Sequence, residues 1–185
     1  MFKSRIYLDN AATSWPKPDA VYDAVDRYQR EIGAPNGRSS YREAQASNRN
    51  IERTRQGVAE LIGVENSSQI VFGFNGTDVL NIAIRGVVRP GDHVVTTVCD
   101  HNSVLRPLRD LHESANVAVT YVPCDGEGFI SPDDVRQALR PNTRLVAVTH
   151  ASNVTGAIQP IDDIGRVVRE SDALYLVDAA QSLGH

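Results

Sequence analysis

Four short polar clusters hold most of the chemistry this sequence offers. "FNGTD" (74–78) brings Asn75, Gly76, Thr77 and Asp78 to the start of a helical stretch. "CDHNS" (99–103) supplies His101, and "HASNVTG" (150–156) supplies Asn153. "LYLVDAAQSLGH" (174–185) is an apolar run that stops on Asp178 and continues to Gln181. Amides at a helix start, with the Thr77 hydroxyl, can hold a phosphate at the positive helix end. Asn75 or Thr77 can equally be a plain N-cap, with Asp78 favouring the dipole. His101 can stack on an aromatic ligand or shuttle a proton, or it is an exposed loop histidine. The Asn153 stretch reads as a ligand-facing loop or as a simple turn. Asp178 can bind a ribose or a metal, act as a general base, or partner a protonated ring nitrogen; it can also be a cap or pair with an arginine. His150 and His185 lack ligand spacing around them and read as structural.

Each cluster needs an element to deliver it, and the apolar pattern provides one. "QIVFG" (69–73), "HVVTTV" (93–98), "VAVTYV" (117–122), "RLVAVT" (144–149) and "LYLVD" (174–178) are short, Val-rich and nearly continuous in apolar character. That is the pattern of strands covered on both faces. Helical stretches near 77–88, 103–114, 132–140 and 161–171 lie between them, with turns at "RPGD" (89–92) and "RPNT" (140–143). Strands alternating with helices predict βαβ units, an α/β fold and a mostly parallel sheet with flanking helices. Ligands in such sheets sit at the carboxyl ends of the strands, and four of the five expected strands feed small, polar or titratable residues to that rim.

Residues 1–68 differ and are expected to form a helical segment ahead of the βαβ part, 69–185. "PDAVYDAVDRYQREI" places Val21, Val25, Tyr28 and Ile32 on one face. "REAQASNRNIERTRQGVAELIG" is a second helix, with Ile51, Val58, Leu61 and Ile62 on its apolar side and Gly63 as its stop.

The bulk numbers narrow the function classes. With 185 residues the chain can bury a real core. Net charge is -4 and the basic residues are scattered, which gives no nucleic-acid footprint. No apolar run reaches membrane-spanning length, and "MFKSRIYLDN" lacks the apolar core of a signal peptide. Cys99 and Cys124 form no metal or redox motif and suit a reducing cytoplasm. Only Lys3 and Lys17 are lysines among the 19 basic residues.

"YLDNAATSWPKP" (7–18), "FGFNGTDVLNIAI" (72–84), "GDHVVTTVCDHNSVLRPL" (91–108), "RLVAVTHASNVTGAIQPI" (144–161) and "LVDAAQS" (176–182) occur in this order. Together they closely resemble the class V family of pyridoxal-phosphate enzymes, in particular its cysteine desulfurase branch, from about Ile6 to His185. The resemblance implies pyridoxal 5'-phosphate as cofactor and a fold-type I large domain. By position it implies that Gly76 and Thr77 hold the cofactor phosphate and that His101 stacks on the pyridine ring. Asn153 then faces the cofactor and the substrate carboxylate, Asp178 pairs with the ring nitrogen, and Gln181 reaches the ring hydroxyl. A buried carboxylate keeps the nitrogen protonated, which the electron sink requires. The phosphate loop reads Gly76-Thr77-Asp78, where many relatives carry a second threonine and then glutamate.

The family also needs a lysine that forms the Schiff base, a catalytic cysteine and an arginine that binds the substrate carboxylate. The resemblance puts all three beyond Asp178 and outside these 185 residues; neither lysine nor either cysteine here matches them. The expectation is therefore the N-terminal portion of an enzyme that removes sulfur from L-cysteine to give alanine, inactive as this chain alone and carrying no metal. Self-association, as in a homodimer, or a complementary C-terminal chain is expected to complete it, and the crevice is expected to be open on one side. Two other readings stand beside this one: a non-catalytic remnant or structural module, and a class V aminotransferase or selenocysteine lyase.

Overall fold

The computed structural model describes residues 6–184. The chain divides into two compact units, Met1–Phe72 and Gly73–His185. The first carries two helices, α1 (Asp19–Glu31) and α2 (Arg42–Leu61). Their junction is polar: the Tyr28 hydroxyl donates to the Ala34 carbonyl at 2.7 Å and lies 2.9 Å from the buried Ser47 hydroxyl. Gly63 ends α2, as its sequence position predicts. It takes a φ of +69°, and the amides of Gly63 and Val64 close on the carbonyls of Glu60 and Ala59. This is a left-handed C-terminal cap that a side chain would strain.

The second unit contains four parallel strands: β1 (His93–Thr97), β2 (Ala118–Val122), β3 (Thr143–Thr149) and β4 (Leu174–Asp178). Their order is β2-β1-β3-β4. The helices α3 (Gly76–Val87), α4 (Asn102–Ala115), α5 (Pro132–Ala138) and α6 (Ile161–Val168) flank them. Alternate residues of one strand serve different cores. Val94, Leu145 and Ala147 pack with Ile84, Val104 and Leu108 of α3 and α4. Val95, Val146 and Val148 pack with Val135, Ile164 and Val167 of α5 and α6. Each such fully buried side chain stabilises the fold by about 1.5–3 kcal/mol. Gly165 has a packing reason: a Cβ there would stand 3.3 Å from the Tyr175 ring, so the glycine lets α6 approach β4 closely.

One expected strand is absent. "QIVFG" (69–73) forms no strand; Ser67–Gln69 is a short 3-10 turn, and the residues after it run without ladder partners. Val71 is 79% exposed and Phe74 92%. An apolar extended run becomes a strand only when a neighbour takes its amides and carbonyls, and none of the four strands does so here.

Candidate functional site

The strand order creates a switch point. From β1 the chain crosses through α4 to β2 on one side; from β3 it crosses through α6 to β4 on the other. The two connections diverge from adjacent strands, which leaves a crevice outside their carboxyl ends, where open α/β sheets take ligands. A cleft of about 410 Å³ lies there, lined by His101 and Asn102 from the β1 side and by Ser152 and Asn153 from the β3 side. The β1–β3 ladder ends at Val95 and Val146, whereas β3–β4 pairing continues to Thr149 and Asp178.

Asp100 spans the end of the β1–β3 pair. One carboxylate oxygen accepts from the Thr96 hydroxyl (2.9 Å), the Thr97 amide (2.8 Å) and the Thr97 hydroxyl (2.8 Å). The other accepts from the Thr149 amide on β3 at 2.6 Å. Asp100 is buried, and burial pushes its carboxyl pKa up against the pull of these donors. Its side chain therefore holds together the strand ends that carry His101 and Asn153.

His101 caps α4. Its Nδ1 accepts from the Ser103 amide at 3.2 Å and lies 2.8 Å from the Ser103 hydroxyl. The Ser103 hydroxyl is in turn 2.8 Å from the Thr77 hydroxyl. Thr77 is the second residue of α3, whose cap settles two of the open readings. Asn75 accepts from the Asp78 amide (2.9 Å), and Asp78 reaches back to the Phe74 amide (3.1 Å). Asn75 and Asp78 are thus cap residues. Gly76 and Thr77 are exposed at the helix start, where amides lack intrahelical acceptors.

Asp178 closes β4 and is only 8% exposed. Its carbonyl accepts from the His150 amide (2.8 Å), and its Oδ1 accepts from the Ala180 amide (3.0 Å). Gln181 is half-buried in the turn that follows. Asn153 is exposed on a turn pinned by Ser152, whose hydroxyl accepts from the Val154 and Thr155 amides. The turn reading is therefore correct for the backbone, and Asn153 still lines the cleft. The structure brings Thr77 and His101 onto one hydroxyl, and His101 and Asn153 onto one cleft. Asp178 and Gln181 stand on the same carboxyl edge, at the strand beyond β3.

Cys99 is poorly suited to be a nucleophile: burial and the neighbouring Cys124 thiol push its pKa up to about 11. Among the described residues no group of three or more His, Cys, Asp and Glu side chains is placed to hold a metal, and no helix is long and apolar enough to cross a membrane. His185 lies outside the described residues. Sequence reasoning passed over Asp100 and Ser103. The threonines at the ends of β1 and β3 were the available signal for Asp100, since a buried acid there has donors to meet.

The residues described fit a phosphorylated, protonated heterocycle: amides and a hydroxyl at a positive helix end for a dianion, an imidazole at the rim, and a buried carboxylate for a cationic ring nitrogen. Comparison with known proteins points the same way. The profile of the family described as "Aminotransferase class-V" matches residues 6–185. The cysteine desulfurase IscS of Dictyoglomus turgidum is 37% identical over 189 residues, covering 99% of this chain and 46% of that protein. A probable cysteine desulfurase of Methanothermobacter thermautotrophicus is 38% identical over 186 residues, covering 100% of this chain and 46% of that protein. Among solved structures, the apo cysteine desulfurase from Thermococcus onnurineus NA1 superposes with a TM-score of 0.90 at 34% identity, covering 97% of this chain and 45% of that one. SspA in complex with cysteine superposes with a TM-score of 0.86 at 33% identity, covering 95% of this chain and 51% of that one. The chain spans about half the length of the relatives it matches.

Proposed function

The chain belongs to the aminotransferase class-V family, and we propose that it is the N-terminal, cofactor-holding portion of a pyridoxal-phosphate-dependent cysteine desulfurase acting on L-cysteine in the cytoplasm. The observation that carries this reading is the switch-point crevice lined by His101 and Asn153, with Thr77 tied to His101 through the Ser103 hydroxyl, in a chain whose relatives bear that name.

Bound pyridoxal phosphate supplies an electron sink for bond cleavage in an amino acid. The chain's own residues supply its seat. The Gly76 and Thr77 amides and the Thr77 hydroxyl hold the phosphate at the positive end of α3. The His101 imidazole, at the rim of the crevice, would stack on the ring and help to hold its orientation. Asp178 holds the proton on the ring nitrogen by direct charge pairing, which its burial strengthens. Gln181 would reach the ring hydroxyl, and Asn153 would face the cofactor and the substrate carboxylate. Asp100 keeps the two walls of the crevice at a fixed separation. The lysine, cysteine and arginine that complete the reaction belong, in this proposal, to parts of the enzyme other than residues 1–185, on a longer chain or a complementary one. Lys17 is not the reacting lysine in this account: its Nζ donates to the Thr13 hydroxyl (3.2 Å) and the Ser14 carbonyl (2.9 Å).

The test is to mix the chain with pyridoxal phosphate, reduce with borohydride and map adducts by mass spectrometry. No stoichiometric lysine adduct is expected, and sulfide release from cysteine should stay at the free-cofactor rate. Stoichiometric modification of Lys17, or sulfide release above that rate, would overturn the division of labour proposed here.

A further inference from the structure

We propose that Ser103 is a positioning residue: it fixes His101 as the tautomer with the proton on Nε2 and couples the imidazole to the hydroxyl of Thr77. The first half follows from donor chemistry. A backbone N–H can only donate, and the Ser103 amide points at His101 Nδ1 at 3.2 Å. Nδ1 is therefore an acceptor and carries no proton, which leaves the ring's proton on Nε2. The Ser103 hydroxyl, 2.8 Å from the same nitrogen, must also donate to it. Ser103 has one hydroxyl hydrogen, so in its 2.8 Å contact with Thr77 it must accept. The directions of the whole chain are then set: Thr77 hydroxyl to Ser103 hydroxyl to His101 Nδ1. Ser103 itself is buried, which shields these bonds from competing water.

The second half follows from counting hydrogens and rests on the reading of Thr77 as a phosphate-holding residue. Two hydroxyl hydrogens serve two acceptors in the free chain. An anion that draws the Thr77 hydrogen adds a third acceptor. The Ser103 hydrogen must then serve either Thr77 or His101, and one contact weakens. Of the two, the loss is proposed to fall at His101, so that filling the phosphate position changes the hydrogen bonding of the ring through the Ser103 hydroxyl.

Nitrogen-15 NMR of the histidine rings tests both halves, with inorganic phosphate as the probe. In the free protein the His101 Nδ1 resonance should be of the unprotonated, pyridine type and Nε2 of the pyrrole type. In Ser103→Ala, which keeps the backbone amide, the Nδ1 resonance should stay of the pyridine type but shift toward weaker hydrogen bonding, and Ser103→Thr should restore it. A protonated Nδ1 in the natural chain overturns the tautomer assignment, and no Nδ1 change in Ser103→Ala overturns the positioning role of the Ser103 hydroxyl. Should Ser103→Ala fail to fold, Ser103→Cys, a near-isosteric weak donor, serves the same arm. On titration with phosphate, the Thr77 amide and His101 Nδ1 should move with one midpoint, and in Ser103→Ala only Thr77 should move. Movement of Thr77 with His101 Nδ1 static in the natural chain overturns the coupling. A static Thr77 amide instead overturns the phosphate reading and with it the coupling, and the tautomer arm then decides on Ser103 alone.

Discussion

One histidine opens strand β1 and another lies four residues beyond its end, and the two live in opposite worlds. His93 opens the strand at the amino edge of the sheet, fully buried, with Nδ1 2.8 Å from the Thr143 hydroxyl and Nε2 2.8 Å from the Thr120 hydroxyl. Both ring nitrogens are spent on neighbouring strands. Burial, with the nearby Arg140 cation, lowers its pKa to about 4. His101 follows the strand at the carboxyl edge; it is exposed, and its Nδ1 is spent on capping α4. The amino edge is a closed polar seam that joins β2, β1 and β3. The carboxyl edge keeps its polar groups facing a cleft and delegates the joining of β1 and β3 to one buried carboxylate, Asp100. A histidine's neighbours, more than its place on a strand, decide whether it serves the fold or a ligand.

The sharpest way to break this contrast is to remove Asp100. Asp100→Ala leaves the Thr97 and Thr149 amides without their acceptor in a buried place, and should cost about 3–5 kcal/mol in denaturant unfolding. Loss of less than about 1 kcal/mol would mean that the carboxyl edge is held some other way.

The amino edge predicts a pH effect. The folded pKa of His93 is lowered to about 4 from its ordinary 6.5, so the unfolded state binds more protons between those values. Stability should therefore rise with pH through this window and fall on acidification from about 6.5 to about 4, by on the order of 3 kcal/mol. His93→Gln should lack this part of the slope. An unchanged pH profile in the variant would show that His93 is not the titrating group.

A smaller, purely chemical difference marks Cys99. With its pKa pushed up to about 11, it should alkylate at neutral pH roughly a hundredfold more slowly than an ordinary thiol. Rapid modification of Cys99 would show a reactive thiol at the cleft.

The four strands that formed were legible because Val-rich runs between turn signals report burial on two faces, and burial is written locally. The 69–73 run looked the same and is not a strand, because pairing depends on a neighbour that periodicity cannot see. Asn75 and Asp78 were readable as caps, since a cap reaches only three or four residues. Asp100 and Ser103 flank His101 in the sequence, yet their partners Thr149 and Thr77 lie far off in it. Residues whose meaning is set by distant hydrogen bonds are where a lone sequence is least informative.

The central claim is that the carboxyl-edge crevice, and no other surface of this chain, seats the cofactor. The direct measurement is a titration of the isotope-labelled chain with pyridoxal phosphate, followed residue by residue in backbone and histidine-ring NMR. Shifts are expected at Gly76, Thr77, His101, Asn153, Asp178 and Gln181, with His93, Thr120 and Thr143 unmoved, and weaker binding in Asp178→Asn. Shifts confined to the amino edge or to residues 6–72, or binding indifferent to Asp178→Asn, would contradict it.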